Sequence, residues 1–175
     1  MPYTLLVGGA RSGKSTLAVR LAARQDAPVV MVATAEPRDD EMAGRIREHR
    51  SARPSEWETV EAPLLLLDAV KNVREDAYVL LDCLTLWVAN ALEAGASESG
   101  IEEEGRELAA LLAERSVDAV IVSNEVGLGI VPMHELSRAY RDLLGRVNAA
   151  FAARASRAYF AVAGRVIPLE GAPLG

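Results

Sequence analysis

Apolar residues follow two alternating rhythms along the chain. Short, nearly continuous runs occur at Thr4 to Val7, Val29 to Ala33, Tyr78 to Leu81, Ala119 to Val122 and Tyr159 to Val162, the form of strands buried on both faces. Between them, Ser15 to Arg24, Asp39 to Arg50, Pro63 to Val73, Thr85 to Leu92, Ile101 to Arg115 and Glu135 to Ala155 carry helical spacing. Strands alternating with helices predict an α/β fold, a mostly parallel sheet flanked by helices. In Ile101 to Arg115 a stripe of Leu108, Leu111 and Leu112 runs beneath Glu and Arg residues, which marks a solvated surface helix without chemistry. The Gly, Ala and Ser of Glu93 to Gly100 read as a loop too short to link domains. One domain is expected over 1–175.

Charge narrows the ligand class. The 175 residues include 25 acidic and 19 basic side chains, a net charge of −6, which argues against a surface for nucleic acid. An anionic ligand therefore needs a local positive site. The single cysteine, Cys83, excludes an internal disulfide and a cysteine-rich zinc site, and it suits a reducing cytoplasm. Met1-Pro2-Tyr3-Thr4 opens no basic segment leading into an apolar one, so no signal peptide is expected. No apolar run reaches the roughly 18 residues of a membrane span.

The local positive site is legible at the end of the first strand. Gly8-Gly9-Ala10-Arg11-Ser12-Gly13-Lys14-Ser15 fits the pattern G-x-x-x-x-G-K-[ST], between a predicted strand and a predicted helix. Successive backbone N–H groups and the helix N-terminus then form an anion-binding concavity. Lys14 supplies a point charge to the β- and γ-phosphates, and the Ser15 hydroxyl is suited to ligate Mg2+. The dinucleotide pattern G-x-G-x-x-G is absent, which argues against an NAD enzyme. This points to a P-loop domain of the RecA-like kind.

Two further features have an ordinary and a functional reading. Val79-Leu80-Leu81-Asp82 ends an apolar strand on a carboxylate, suited either to the magnesium of a P-loop enzyme or to a helix cap. In Arg45 to Arg53, four arginines (Arg45, Arg47, Arg50 and Arg53) surround His49. That cluster is either a solvated helix face with salt bridges or a polyphosphate site with a nucleophile. Neighbouring guanidinium groups disfavour imidazolium, and a neutral imidazole in line with an α-phosphate displaces pyrophosphate to give a phosphoramidate.

These stretches resemble one family along almost the whole chain. GGARSGKS, VATAEPRDDEMAGRIREHRSARPSEWETVEAP, LLDCLTLWVAN, VSNEVGLGIVP and RAYRDLLGRVN are similar, in order, to the bifunctional adenosylcobinamide kinase and adenosylcobinamide-phosphate guanylyltransferase family of cobalamin biosynthesis. The resemblance implies that a nucleoside triphosphate, GTP or ATP, phosphorylates adenosylcobinamide. GMP from GTP is then transferred onto adenosylcobinamide phosphate through guanylylated His49, giving adenosyl-GDP-cobinamide. It implies nucleotide contacts at Gly8 to Ser15, at Ala33, Thr34 and Ala35, at Arg50, Ser51, Ala52 and Arg53, and at Glu61 and Asp82. It also implies a homotrimer. A carboxylate such as Glu61 suits guanine, whose N1–H and 2-amino group both donate hydrogen bonds.

Two rivals remain open on the residues alone. One is a P-loop small-molecule kinase without a covalent intermediate. The other is a GTP-binding switch module, which needs loops that order around the γ-phosphate but no histidine among arginines. Asn124 and Glu125, just beyond the fourth apolar run, are candidates to orient an attacking hydroxyl, and an ordinary strand-to-loop turn accounts for them equally well.

Overall fold

The computed structural model describes residues 3–51 and 53–171, with the backbone alone at positions 41, 45 and 49. Strands and helices alternate in chain order. They are β1 (Thr4–Gly8), α1 (Lys14–Ala22), β2 (Val29–Ala33), α2 (Asp40–Ser51), β3 (Glu58–Glu61), α3 (Leu66–Lys71), β4 (Tyr78–Asp82), α4 (Leu84–Glu93), α5 (Glu98–Glu114), β5 (Ala119–Asn124), α6 (Glu135–Arg154), β6 (Arg157–Val162) and β7 (Arg165–Leu169). The sheet runs β3-β2-β4-β5-β1-β6-β7, parallel throughout except for β7, which pairs antiparallel with β6.

Both sheet faces are buried, and the period of two sorts the strand residues between them. Leu5, Val30, Val32, Val79, Leu81 and Ile121 join Trp87, Leu108, Leu144 and Phe151 of α4, α5 and α6. Leu6, Met31, Leu80, Val120 and Val122 pack on Ala18 and Ala22 of α1. That is why the runs in β1, β2, β4 and β5 are continuously apolar. Among the described residues, no side chain of α2 joins either core.

Three expectations shift. β3 and β7 lie at opposite edges of the sheet and are exposed or half-buried, so neither carries a continuous apolar run. The stretch read as a loop over 93–100 is shorter. Helix α5 already starts at Glu98, because the Ser97 hydroxyl accepts the Gly100 N–H at 3.1 Å and caps it. Asp82 is not the cap of α4: Cys83 holds the N-cap position, and the Thr85 Oγ1 accepts the Asn124 N–H at 2.7 Å.

Candidate functional site

Strand register gathers the predicted residues at one sheet edge. Glu61 of β3 pairs with Ala33 of β2, Ala33 pairs with Asp82 of β4, and Gly8 of β1 pairs with Asn124 of β5. All of them end their strands, so the site lies along the carboxyl edge, where open parallel sheets bind ligands. Asp82 shares strand parity with Leu80 and therefore belongs to the α1 face.

The glycine-rich loop is tightly shaped. Gly13 has φ 95° and Arg11 φ 56°, left-handed angles that favour glycine at the first position. Gly13 is the N-cap of α1 and offers no capping side chain. The first N–H groups of the helix thus stay available to an anion. Lys14 is buried, and its Nζ donates to the Gly9 carbonyl at 2.7 Å and to Ser12 Oγ at 3.3 Å, folding back over the loop. Burial pulls the Lys14 ammonium below the ordinary lysine value, opposed by the Cys83 and Asp82 side chains.

Asp82 also reaches across the site. Burial pulls the Arg53 guanidinium, in the segment between α2 and β3, below the ordinary arginine value; Asp82 opposes this, and Arg50 adds like-charge repulsion. One carboxylate thus lies within electrostatic reach of a cation from the glycine-rich loop and of another from the arginine-rich segment. Arg50 and Arg53 line a cavity of about 190 Å³ with Pro54, Ser55, Trp57 and Thr59. Arg50 donates to Glu61 Oε1 at 3.3 Å, an exposed pair that adds little stability but holds Glu61 beside the arginines.

Other predicted residues take the following places. Ser12 is buried, Ser15 is half-buried in the first turn of α1, and Gly9, Ala10 and Arg11 fill the loop. Ala33 and Ala35 are half-buried beside Thr34. Ser51 ends α2 and donates to the Glu48 carbonyl at 2.9 Å. His49 lies on the last turn of α2, and its side chain is outside the described residues, as is the whole of Ala52.

Thr34, Asn90 and Asn148 organise the edge without having been legible as such. Thr34 is fully buried, and its hydroxyl bonds the Cys83 main chain. Asn90 Nδ2 donates to the carbonyls of Thr34 at 2.9 Å and Pro63 at 3.1 Å, and its Oδ1 accepts from Arg38. Asn148 accepts from Ser123 Oγ at 2.6 Å and donates to the Asn124 carbonyl at 2.9 Å. An asparagine inside the apolar helix sequence Leu84–Glu93 is the one signal that pointed to such a role.

The description cobinamide kinase / cobinamide phosphate guanyltransferase matches residues 4–169. This chain belongs to that family. It is 46% identical over 171 residues to the bifunctional adenosylcobalamin biosynthesis protein CobP of Pseudomonas aeruginosa, covering 97% of this chain and 98% of that one. It is 40% identical over 174 residues to the bifunctional adenosylcobalamin biosynthesis protein CobU of Salmonella typhimurium, covering 91% and 95%. Among solved structures, the assembled ATPase EscN of the enteropathogenic E. coli type III secretion system superposes with TM-score 0.60 at 11% identity, covering 93% of this chain and 43% of that one. At that identity the likeness concerns the fold, a RecA-like P-loop sheet. Family membership matches the order of chemistry along the edge: a loop suited to triphosphate, then a carboxylate, then arginines.

The oxygen donors of Ser15 and Asp82 fit magnesium, which takes one or two protein oxygens and completes its shell from water and phosphate. Among the described residues no group of three or more His, Cys, Asp and Glu converges. Cys83 is buried, and burial together with the Asp82 charge pushes its thiol up to about 11, which suits packing rather than nucleophilic attack.

Proposed function

We propose that this chain phosphorylates adenosylcobinamide with GTP or ATP and then transfers GMP from GTP onto the new phosphate through His49. The observation that carries this reading is the shared carboxylate. Asp82, at the carboxyl end of β4, lies within electrostatic reach of Lys14 of the phosphate loop and of Arg53 in the segment that follows the helix bearing His49.

In the first step the substrate hydroxyl oxygen attacks the γ-phosphorus in line. The bond from that phosphorus to the β-bridging oxygen breaks, the nucleoside diphosphate leaves and the hydroxyl proton passes to solvent. Lys14 and the loop N–H groups stabilise charge on the transferred group and on the leaving oxygens. Ser15 and Asp82 would hold Mg2+, which supplies charge neutralisation at the phosphates.

In the second step a His49 ring nitrogen attacks the α-phosphorus of GTP and pyrophosphate leaves. A cobinamide phosphate oxygen then attacks the same phosphorus, frees the imidazole and forms adenosyl-GDP-cobinamide. Arg50 and Arg53 offset phosphate charge, and Glu61 accepts the guanine N1–H and 2-amino hydrogens. Ala33, Thr34, Ala35, Ser51 and Ala52 complete the nucleotide surroundings in this reading. That no described side chain of α2 joins either core supports an approach of His49 to nucleotide on the loop.

The reading includes a homotrimer acting in the cytoplasm. Supporting the assembly, Leu128, Ile130 and Met133 are 80%, 98% and 93% exposed in the segment before α6, an apolar stretch of the kind subunits cover. Light scattering of the purified chain tests the trimer. The function itself is tested by supplying adenosylcobinamide with each triphosphate, then adenosylcobinamide phosphate with GTP, and separating the corrinoid products. Formation of adenosyl-GDP-cobinamide supports the reading, and conversion in the kinase step alone would leave the small-molecule kinase.

A further inference from the structure

The turn between β6 and β7 lies against the phosphate loop. Its central residues, Ala163 and Gly164, have φ 51° and 73°, and they sit between Val162 and Arg165, which pair across the hairpin. Two left-handed residues in such a turn match the twist of the strands they join. From this turn the Gly164 N–H donates to the Ser12 carbonyl at 3.0 Å. The approach is close along its length: a Cβ on Gly8 would overlap the Ala161 carbonyl oxygen, and one on Gly13 would meet Gly164 Cα at 3.3 Å.

The Ser12 carbonyl and the Gly13 N–H belong to one peptide unit, and in a trans peptide they point in opposite directions. Holding the carbonyl toward the hairpin therefore turns the Gly13 N–H away from the hairpin. We propose that Gly164 is a positioning residue for triphosphate binding, its amide anchoring the Ser12–Gly13 peptide so that the Gly13 N–H faces the phosphates. This rests on the reading of Gly8 to Ser15 as a phosphate loop. A side chain at Gly164 has room, since a Cβ there meets nothing within 4 Å. What opposes it is the left-handed backbone, which a β-branched residue resists most and asparagine tolerates.

The test is calorimetric titration with GTP and, separately, with inorganic pyrophosphate, which reads the loop without the base. The variants are Gly164→Val, Gly164→Ala, Gly164→Asn and Gly95→Val. Gly95 has φ 86° with nothing within 4 Å of its Cβ position, so it carries matching backbone strain without touching the loop. Gly164→Val weakens both ligands about tenfold, the scale of one hydrogen bond. Gly164→Ala falls between, and serves alone if the valine variant does not fold. Gly164→Asn keeps wild-type affinity, and Gly95→Val lowers Tm but not affinity. Steady-state assays show the same loss in KM for the triphosphate rather than in kcat.

Wild-type affinity in both Gly164→Val and Gly164→Ala, or an equal loss in Gly95→Val, would overturn the proposal. A wild-type chain that binds neither GTP nor pyrophosphate would overturn the reading of the loop itself, and the proposal with it.

Discussion

Thr34 Oγ1 donates to the Cys83 carbonyl at 2.7 Å and accepts the Cys83 N–H at 2.9 Å. One hydroxyl thereby locks the residue after β2 to the residue after β4, directly behind Asp82. Thr34 is fully buried, so the Cys83 N–H has no water to fall back on, while the Cys83 carbonyl keeps the Trp87 N–H at 3.4 Å. Thr34→Val keeps the shape and removes both Thr34 bonds. Stability should drop by about 1–3 kcal/mol, the cost of leaving a buried donor unpaired, while Thr34→Ser should restore most of it. Urea unfolding followed by circular dichroism measures both.

The buried Lys14 ammonium gives a pH dependence with a definite sign. Burial lowers its protonation below the ordinary value of 10.5, and triphosphate bound beside it would raise it again. Affinity is full below the free-protein value and weakens as pH rises through it, so the Kd for ATP, whose base does not ionise in the alkaline range, should climb before pH 10.5 is reached. Lys14→Met should be weaker at every pH and lose that alkaline slope. Titrations across the alkaline range in wild type and variant check the two curves.

Cys83 should resist chemistry that ordinary thiols undergo. With its thiol pushed up to about 11 and its side chain buried, almost no thiolate exists at neutral pH. Iodoacetamide at pH 8 should leave the native chain unmodified over a period that fully alkylates it in urea. Rapid native alkylation, read by mass spectrometry, would show that the packing around Asp82 is looser than described.

Sequence and structure agree on the central strands, where burial is two-sided, and on β6, whose apolar run is mostly half-buried, and they part at the sheet edges. β1, β2, β4 and β5 were visible because helices cover both faces of the central sheet. β3 reads Glu58-Thr59-Val60-Glu61 with exposed ends. β7 is exposed throughout and contains Pro168, a residue tolerated at an edge because no further strand needs its N–H. The glycine-rich loop is a local pattern and could be read in place. The electrostatic reach of Asp82 to Lys14 and Arg53 could not, because it depends on register carried from β4 through β5 to β1 and on the path of the segment after α2. The same holds for the Gly164 anchor, which joins the two ends of the chain.

The central claim is that GMP travels on His49, and labelled GTP tests it most directly. Wild type and His49→Ala are incubated with GTP carrying label at the α-phosphate or at the γ-phosphate, denatured, and assayed for label bound to protein and for both corrinoid reactions. The account predicts acid-labile, alkali-stable label from the α-position on wild type and none on His49→Ala, which still phosphorylates adenosylcobinamide but no longer transfers GMP. GMP transfer by His49→Ala at the wild-type rate, or transfer by wild type with no labelled protein formed, would contradict it.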